Sequence, residues 1–378
     1  MAYALSCAPA RDMTTPPVAA RTRPRSTTPI LLVAVLAWLT PIAAAAQTMD
    51  HDAAPATHPE VVVHAFGSVD WASAGEPGEA NSFGLGQLAL FMTSAINDRV
   101  SVLAEIVLEA SAANTQVTTD LERLQLTYRL NDHLNLSAGR YHTGIGFYNA
   151  AFHHGSYFET TIGRPRVFAF EDEGGVLPVH EVGLSARGIV PKTGSALRYV
   201  AEVGNGRRWT ELDEHEGLDQ NDAKSTNVGL ALRPERWRGA EVGASWYRDD
   251  VPGAATTVIK NDIVAAYAVY RTPAVELMGE WLRLSYQPNA AGQRVDNHGG
   301  YVQASRAFGT IRPYYRYDRL DIDPSTPLIG TFGSSETHVL GLRFDPAAWV
   351  GLKAQYERLS NTTVAGANGM HVQLVFVF

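Results

Sequence analysis

At 378 residues the chain is long enough for one large domain or two ordinary ones, so length alone does not set the domain count. Asp and Glu outnumber Lys and Arg by 39 to 31, a formal charge of −8, and no basic tract offsets the excess. That balance argues against a nucleic-acid partner, whose phosphates favour a basic surface.

The first segment reads as a transport address. Arg21, Arg23 and Arg25 precede the apolar run ILLVAVLAWL and then TPIAAAAQ. This is the order of charged region, apolar region and small-residue cleavage site in a secretory signal peptide. Cleavage is expected after Ala46, giving a signal peptide over 1–46, with Met1 and Met13 both open as the start. The apolar run is short for a spanning helix, which needs about 20 apolar residues, and Pro41 interrupts it. Cys7, the only cysteine, falls inside the removed segment. The mature chain therefore has no internal disulfide and no thiolate metal site, and an exported protein must be stabilised by other means. Residues 47–60 carry no period and read as a flexible periplasmic leader. No later stretch is apolar enough for a spanning helix, which excludes a bundle of membrane helices.

From Val61 to the end, segments of about ten residues alternate apolar with polar or small residues, and turn residues separate them. In RLQLTYRL, Leu124, Leu126, Tyr128 and Leu130 share one face, and Arg123, Gln125, Thr127 and Arg129 share the other. VSVLAEIVLEA and IRPYYRYD repeat the arrangement. Such strands suit lipid outside and water inside. About sixteen can be placed, from 61–71 to 370–378, among them 120–130, 239–248 and 274–284. The connections alternate between short and long, with tight turns at 97–98, 131–133, 271–273 and 309–310. Aromatic residues cluster at both strand ends, Trp237, Tyr270, Phe344 and Trp349 beside short turns, and Trp71, Trp246, Trp281, Tyr317 and Tyr356 towards long loops. Two girdles at two lipid interfaces produce this pattern. A soluble sandwich or propeller also alternates, but its strands are shorter and a second layer covers its apolar face. The fold class expected is all-β: a transmembrane antiparallel β-barrel over 61–378.

Together with the terminal HVQLVFVF, these features resemble a Gram-negative outer-membrane porin. GRYHTGIGFYNAAFHHGSYFETTIGRPRVFAFEDEGGVLPVHEVGL is also loosely similar to the phosphate-selective porin O/P group, without that group's lysine-rich run. The resemblance implies a water-filled channel in the outer membrane, among lipid and lipopolysaccharide, and a homotrimer. It also implies a terminal strand, with Phe376 and Phe378, read by the barrel-assembly machinery.

The longest connection, about 142–179, falls between the fifth and sixth strands, making it the third extracellular loop. The resemblance implies that this loop folds into the lumen as a constriction. Loops beyond about 12–15 residues are usually functional or disordered, and seven aromatics between Phe147 and Phe170 argue for packing. Its candidate constriction residues are Glu159, Glu171, Asp172, Glu173, Arg164 and Arg166. Candidate pore-wall residues are Arg123, Arg129, Arg187, Arg198, Arg312 and Arg316. Acids on the loop opposite arginines on the wall place a field across the bore, which favours polar solutes. Solvation of a surface loop is the bland alternative. Lumen acids (Glu105, Glu181, Glu202, Glu276, Glu280) and lumen bases are comparably numerous, so ion preference stays open.

His153 and His154 invite a metal reading with His142 and His180, yet no recognisable ligand spacing surrounds them, and packing roles are expected. The acidic run 212–222 departs from the twelve-position calcium loop and reads as a solvated loop, although its oxygens could bridge lipopolysaccharide through Ca²⁺ or Mg²⁺. No metal or cofactor is expected. GLGQLA, from Gly84 to Ala89, fits the dinucleotide pattern by letter, but no helix follows it, so its glycines are expected to bend a strand or allow close packing. HEGLD lacks the second histidine of a zinc protease. No G-x-S-x-G motif appears, so a hydrolase is not expected. The rival from another class is a barrel whose extracellular loops bind or adhere.

Overall fold

The computed structural model describes residues 59–73, 81–110, 117–152, 155–170, 175–207, 222–253, 257–289, 292–363 and 366–378. The expected signal peptide and nearly all of the leader lie outside them, as do Glu171, Asp172, Glu173, His153, His154 and residues 212–221.

Sixteen strands run in chain order. They are β1 (Val61–Ala72), β2 (Ser82–Ala95), β3 (Val100–Ala110), β4 (Val117–Asn131), β5 (Leu134–His142), β6 (His180–Lys192), β7 (Ser195–Gly204) and β8 (Ser225–Pro234). Then come β9 (Ala240–Pro252), β10 (Val258–Arg271), β11 (Val275–Pro288), β12 (Val295–Arg306), β13 (Ile311–Asp321), β14 (Ser335–Ala347), β15 (Val350–Asn361) and β16 (Asn368–Val377). Each pairs antiparallel with its chain neighbours, and β16 pairs with β1 from Phe66↔Val377 to Ala72↔His371, so the sheet closes into a barrel. At the seam Ala65 and Phe378 exchange both backbone hydrogen bonds, 2.9 and 3.0 Å. Closure follows from the alternation: an open edge facing hydrocarbon leaves backbone N–H and C=O groups without partners, each at a penalty of several kcal/mol.

The expected rhythm of connections holds, with two to five residues after every even-numbered strand up to β14 and five or more after every odd-numbered one. Outward apolar side chains such as Leu124, Leu126, Leu184, Leu230, Leu340 and Leu374 stay exposed in the single chain and form the outer belt. Trp237, Trp349 and Phe344 at the short-turn end and Trp246, Trp281 and Tyr356 towards the other are also exposed on that surface.

Several strands extend past their expected ends. β9 and β11 continue to Pro252 and Pro288, where Val258↔Pro252 and Ile259↔Pro288 still pair. Proline reads as a stop in sequence, but a strand's terminal residue has no further need of an N–H for the ladder. The GLGQLA glycines divide in role. Between Gly67↔Leu88 and Val69↔Leu85 the register of β1 and β2 shifts, and a Cβ on Gly86 would stand 1.8 Å from Ser68 Oγ, whereas one on Gly84 meets nothing within 4 Å. Close approach thus explains Gly86 alone. A second shift, between Glu105↔Arg123 and Ile106↔Leu121, makes Glu122 the extra residue of a bulge in β4.

The expected outcome of Gly86→Ala is a folded barrel that unfolds at a lower temperature, because the Ser68 and Asp70 side chains must move. Gly84→Ala is expected to stay within about 0.5 kcal/mol of the parent chain. Heating curves of the compact barrel band on a denaturing gel check both.

Candidate functional site

The segment 143–179 between β5 and β6 begins in Thr143–Gly146, forms one helical turn α1 (Tyr148–Ala151), makes a 3₁₀ turn at Arg166–Phe168 and returns to β6. Such irregular backbone cannot satisfy its own N–H and C=O groups, so other partners are required. Charged side chains of the strands supply them. In the first half of the segment, backbone N–H groups meet carboxylates. Gly144 donates to Glu202 of β7 at 2.8 Å, and Phe147 and Tyr148 each donate to one oxygen of Glu280 of β11 at 2.7 Å. Gly146 donates to Ser245 of β9 at 3.0 Å.

In the second half the polarity reverses, and backbone carbonyls meet cations. Arg316 of β13 donates to the Gly163 carbonyl at 2.7 Å and to the Thr161 hydroxyl at 2.9 Å. Arg343 of β14 donates to the carbonyls of Tyr157 and Glu159, both at 2.7 Å. Lys353 of β15 donates to those of Ser156 and Thr161, at 2.6 and 3.0 Å. Gln355 both donates to and accepts from Ile162. The two sides compensate one another: the segment's dipoles replace water around buried charges, and the charges satisfy the segment's backbone.

Apolar packing completes the seat. Ile145, Phe147, Tyr148, Phe152, Val167 and Phe168 join Tyr247, Ile263, Tyr267, Leu282, Leu284 and Tyr301 of β9–β12 in one buried cluster. Tyr148 stacks on Phe168 with centroids 5.5 Å apart and meets Tyr301 edge-on at 5.6 Å. Burial, then the neighbouring Glu159 carboxylate, holds the Tyr148 phenol well above its ordinary range. It therefore remains a neutral donor, bonded to Glu159 at 3.0 Å.

The candidate arginines have partners other than loop carboxylates. Arg123 pairs with its cross-strand neighbour Glu105 at 2.6 Å, Arg187 with Glu202, and Arg198 with Glu241 at 2.7 Å. Arg316 also pairs with Asp318 at 3.0 Å. Arg129 bonds the Asp98 carbonyl in the β2–β3 turn, and Arg312 bonds the Pro273 carbonyl in the β10–β11 turn, so both sit at the short-turn rim. Arg164 folds the segment on itself: it donates to the Phe168 carbonyl at 2.6 Å and lies over the Phe170 ring at 4.2 Å. Arg166 is tied through its backbone N–H to Asp318 at 3.3 Å. Lys353 and Gln355 carry no motif that marks them in the sequence. Alternation in GLKAQYERL marks their face, but no local signal gives their partner some 190 residues away.

Open space adjoins the segment. A cavity of about 480 Å³ lies between Ala151, Gly155, Tyr157 and Phe158 and a wall of His64, Phe66, Phe91, Glu105 and Arg123 on β1–β4. Another, of about 380 Å³, is lined by Arg271, Arg312 and Arg343 with Glu276 and Asp345. A third, of about 270 Å³, includes Arg187, Arg198 and Tyr267.

No family model matches the chain, and no curated protein matches it in sequence. Its structure is similar to solved outer-membrane barrels. The anion-selective porin from Comamonas acidovorans aligns with a TM-score of 0.58 at 13% identity, over 85% of this chain and 100% of that one. OmpF of Salmonella typhi, in complex with daunomycin, aligns at 0.55 and 13%, over 85% and 98%. The trimer form of OmpT, an outer membrane protein of Vibrio cholerae, aligns at 0.56 and 11%, over 85% and 99%. At such identities the likeness is one of fold, and the fold is that of Gram-negative outer-membrane porins.

Replacing Glu280 by Ala removes the acceptor of two buried backbone donors and of the Tyr301 hydroxyl. An orphaned buried donor costs about 1–3 kcal/mol, so amide exchange at Phe147 and Tyr148 is expected to quicken about tenfold or more in a barrel that still folds. Hydrogen-exchange mass spectrometry over 143–152 measures it.

Proposed function

We infer that the chain is an outer-membrane channel of porin type, exported by the signal peptide over 1–46, and forms a water-filled path for small polar solutes or ions. The single observation that carries this reading is an asymmetry. The segment 143–179 is hydrogen-bonded to strands from β7 round to β15, while beside β1–β4 it leaves a cavity of about 480 Å³ that the Phe158–Phe66 ring contact borders. In this reading the segment folds into the lumen as the constriction, and solutes pass between it and β1–β4. Selection is by size and by fixed charge, with no covalent chemistry and no energy input.

The charge arrangement gives the channel a direction. Towards the short turns, Arg198 and Arg233 share Glu241, Arg271 meets Glu276 and Arg343 meets Asp345, while Arg312 adds a further cation. Guanidinium groups outnumber carboxylates in that set, which favours anions at this mouth. Three further parts of the reading follow the same fold: a homotrimer, with outward Ala244, Ala266, Ala268 and Gly279 on β9–β11 permitting close packing; contacts with lipid and lipopolysaccharide; and recognition of Phe376 and Phe378 by the barrel-assembly machinery. The apolar cluster between segment and wall favours one rival, a plugged barrel that acts through its extracellular loops.

Planar-bilayer recording separates the two. Stepwise conductance with an anion-favouring reversal potential in a salt gradient is expected; correctly inserted protein that neither conducts nor swells liposomes supports the plugged barrel. Phe158, exposed at the cavity and 5.0 Å from Phe66, should raise conductance when replaced by Ala. Arg123→Gln and Arg187→Gln should move the reversal potential towards cations, and unchanged selectivity in both contradicts a field set by these residues. Deleting Phe378 should lower the amount of barrel in the membrane far more than the conductance of each assembled channel; normal levels of the truncated chain contradict an assembly role.

A further inference from the structure

Glu122, His142 and His180 come from three consecutive strands, β4, β5 and β6, and meet in one buried cluster. His142 and His180 are direct partners in the β5–β6 ladder, a position from which facing side chains reach each other. Their Nε2 atoms stand 2.9 Å apart, and His180 Nε2 stands 2.8 Å from a carboxylate oxygen of Glu122. Glu122 arrives there as the extra residue of the β4 bulge, a device that redirects a side chain from its regular alternation. The three residues are 1%, 2% and 9% exposed, in the order Glu122, His142, His180.

Hydrogen bonding accounts poorly for this arrangement. A neutral imidazole Nε2 carries either a proton or a lone pair. His180 Nε2 faces both an imidazole nitrogen and a carboxylate oxygen, so one proton cannot serve all three atoms well. A cation held between them meets a lone pair from each. The surroundings suit ligands of that kind. His142 Nδ1 lies 3.4 Å from the Asn149 carbonyl, an acceptor that suits the tautomer with its proton on Nδ1 and its lone pair on Nε2, the form a metal ligand takes. Phe170 stacks on the His180 ring, with centroids 5.8 Å apart and an interplanar angle of 18°, which fixes its orientation.

We propose that Glu122, His142 and His180 bind one divalent transition-metal ion, tying β4, β5 and β6 together beneath the segment 143–179. Two imidazole nitrogens and one carboxylate oxygen form a known zinc ligand set, with water in the fourth position. Hard Ca²⁺ and Mg²⁺ prefer all-oxygen sites. Ligand atoms about 2.0–2.1 Å from a tetrahedral centre stand about 3.3 Å apart, so the two contacts of His180 Nε2, at 2.9 and 2.8 Å, open by a few tenths of an ångström to admit the ion, and all the ligand atoms already lie within 4.8 Å of one another.

The full chain, folded in detergent and stripped with EDTA, is dialysed against Zn²⁺. About one equivalent per chain is expected, and Co²⁺ in its place should give the visible absorption of a four-coordinate centre. His142→Ala and the near-isosteric Glu122→Gln should each weaken Zn²⁺ binding at least tenfold, while His338→Ala, at the Glu336 pair on β14, leaves it unchanged. Gel mobility of the compact barrel shows that each variant is folded; if His142→Ala does not fold, Glu122→Gln and the parent chain carry the test. Failure of the folded parent chain to bind Zn²⁺ overturns the proposal, as does binding that survives Glu122→Gln or is lost with His338→Ala.

Discussion

The interior of this barrel is organised by one exchange: charged side chains of the wall hydrogen-bond to the backbone of an irregular segment. Neither side is stable alone. A carboxylate such as Glu280 or an ammonium such as Lys353 is costly to bury without several partners, and a segment without regular structure leaves N–H and C=O groups that must be satisfied. The arrangement solves both at once, with carboxylates where the segment presents donors and cations where it presents acceptors. Removing one member therefore exposes the needs of several others, which makes these contacts more consequential than an equal number of surface ion pairs.

The position of the segment follows from that exchange. Its anchors run from Glu202 on β7 to Lys353 and Gln355 on β15, and apolar packing against β9–β12 presses it to the same side. The wall of β1–β4, bearing His64, Phe91, Glu105 and Arg123, borders open space instead. Among the described residues, the arginines expected on the wall are bonded to wall carboxylates and loop carbonyls, as in the Arg123–Glu105 pair and the sharing of Glu241 between Arg198 and Arg233.

Bulges add a second level of control. At Gly86 a missing Cβ makes room for the Ser68 and Asp70 side chains of β1 where the register slips. At Glu122 the slip carries a carboxylate to a histidine pair on the next two strands. In each case one residue departs from the two-residue period, and the departure places chemistry that regular alternation could not.

Alternation, strand count, the rhythm of the turns, the aromatic girdles and the inward facing of Arg123, Arg187, Arg198 and Arg316 were all legible in the sequence, because a strand's period and a lipid boundary act on neighbouring residues. So was the exceptional length of the connection after β5. Only the tertiary structure decided what that connection touches. Tyr157 and Arg343, or Glu280 and Phe147, are joined by closure of the whole barrel, and no local pattern encodes a partner more than a hundred residues away. In the sequence His142 and His180 enter a metal reading only to be set aside for want of ligand spacing, because two histidines 38 positions apart meet through strand register alone; Glu122 carries no local signal at all, since it joins them only where β4 breaks its own period.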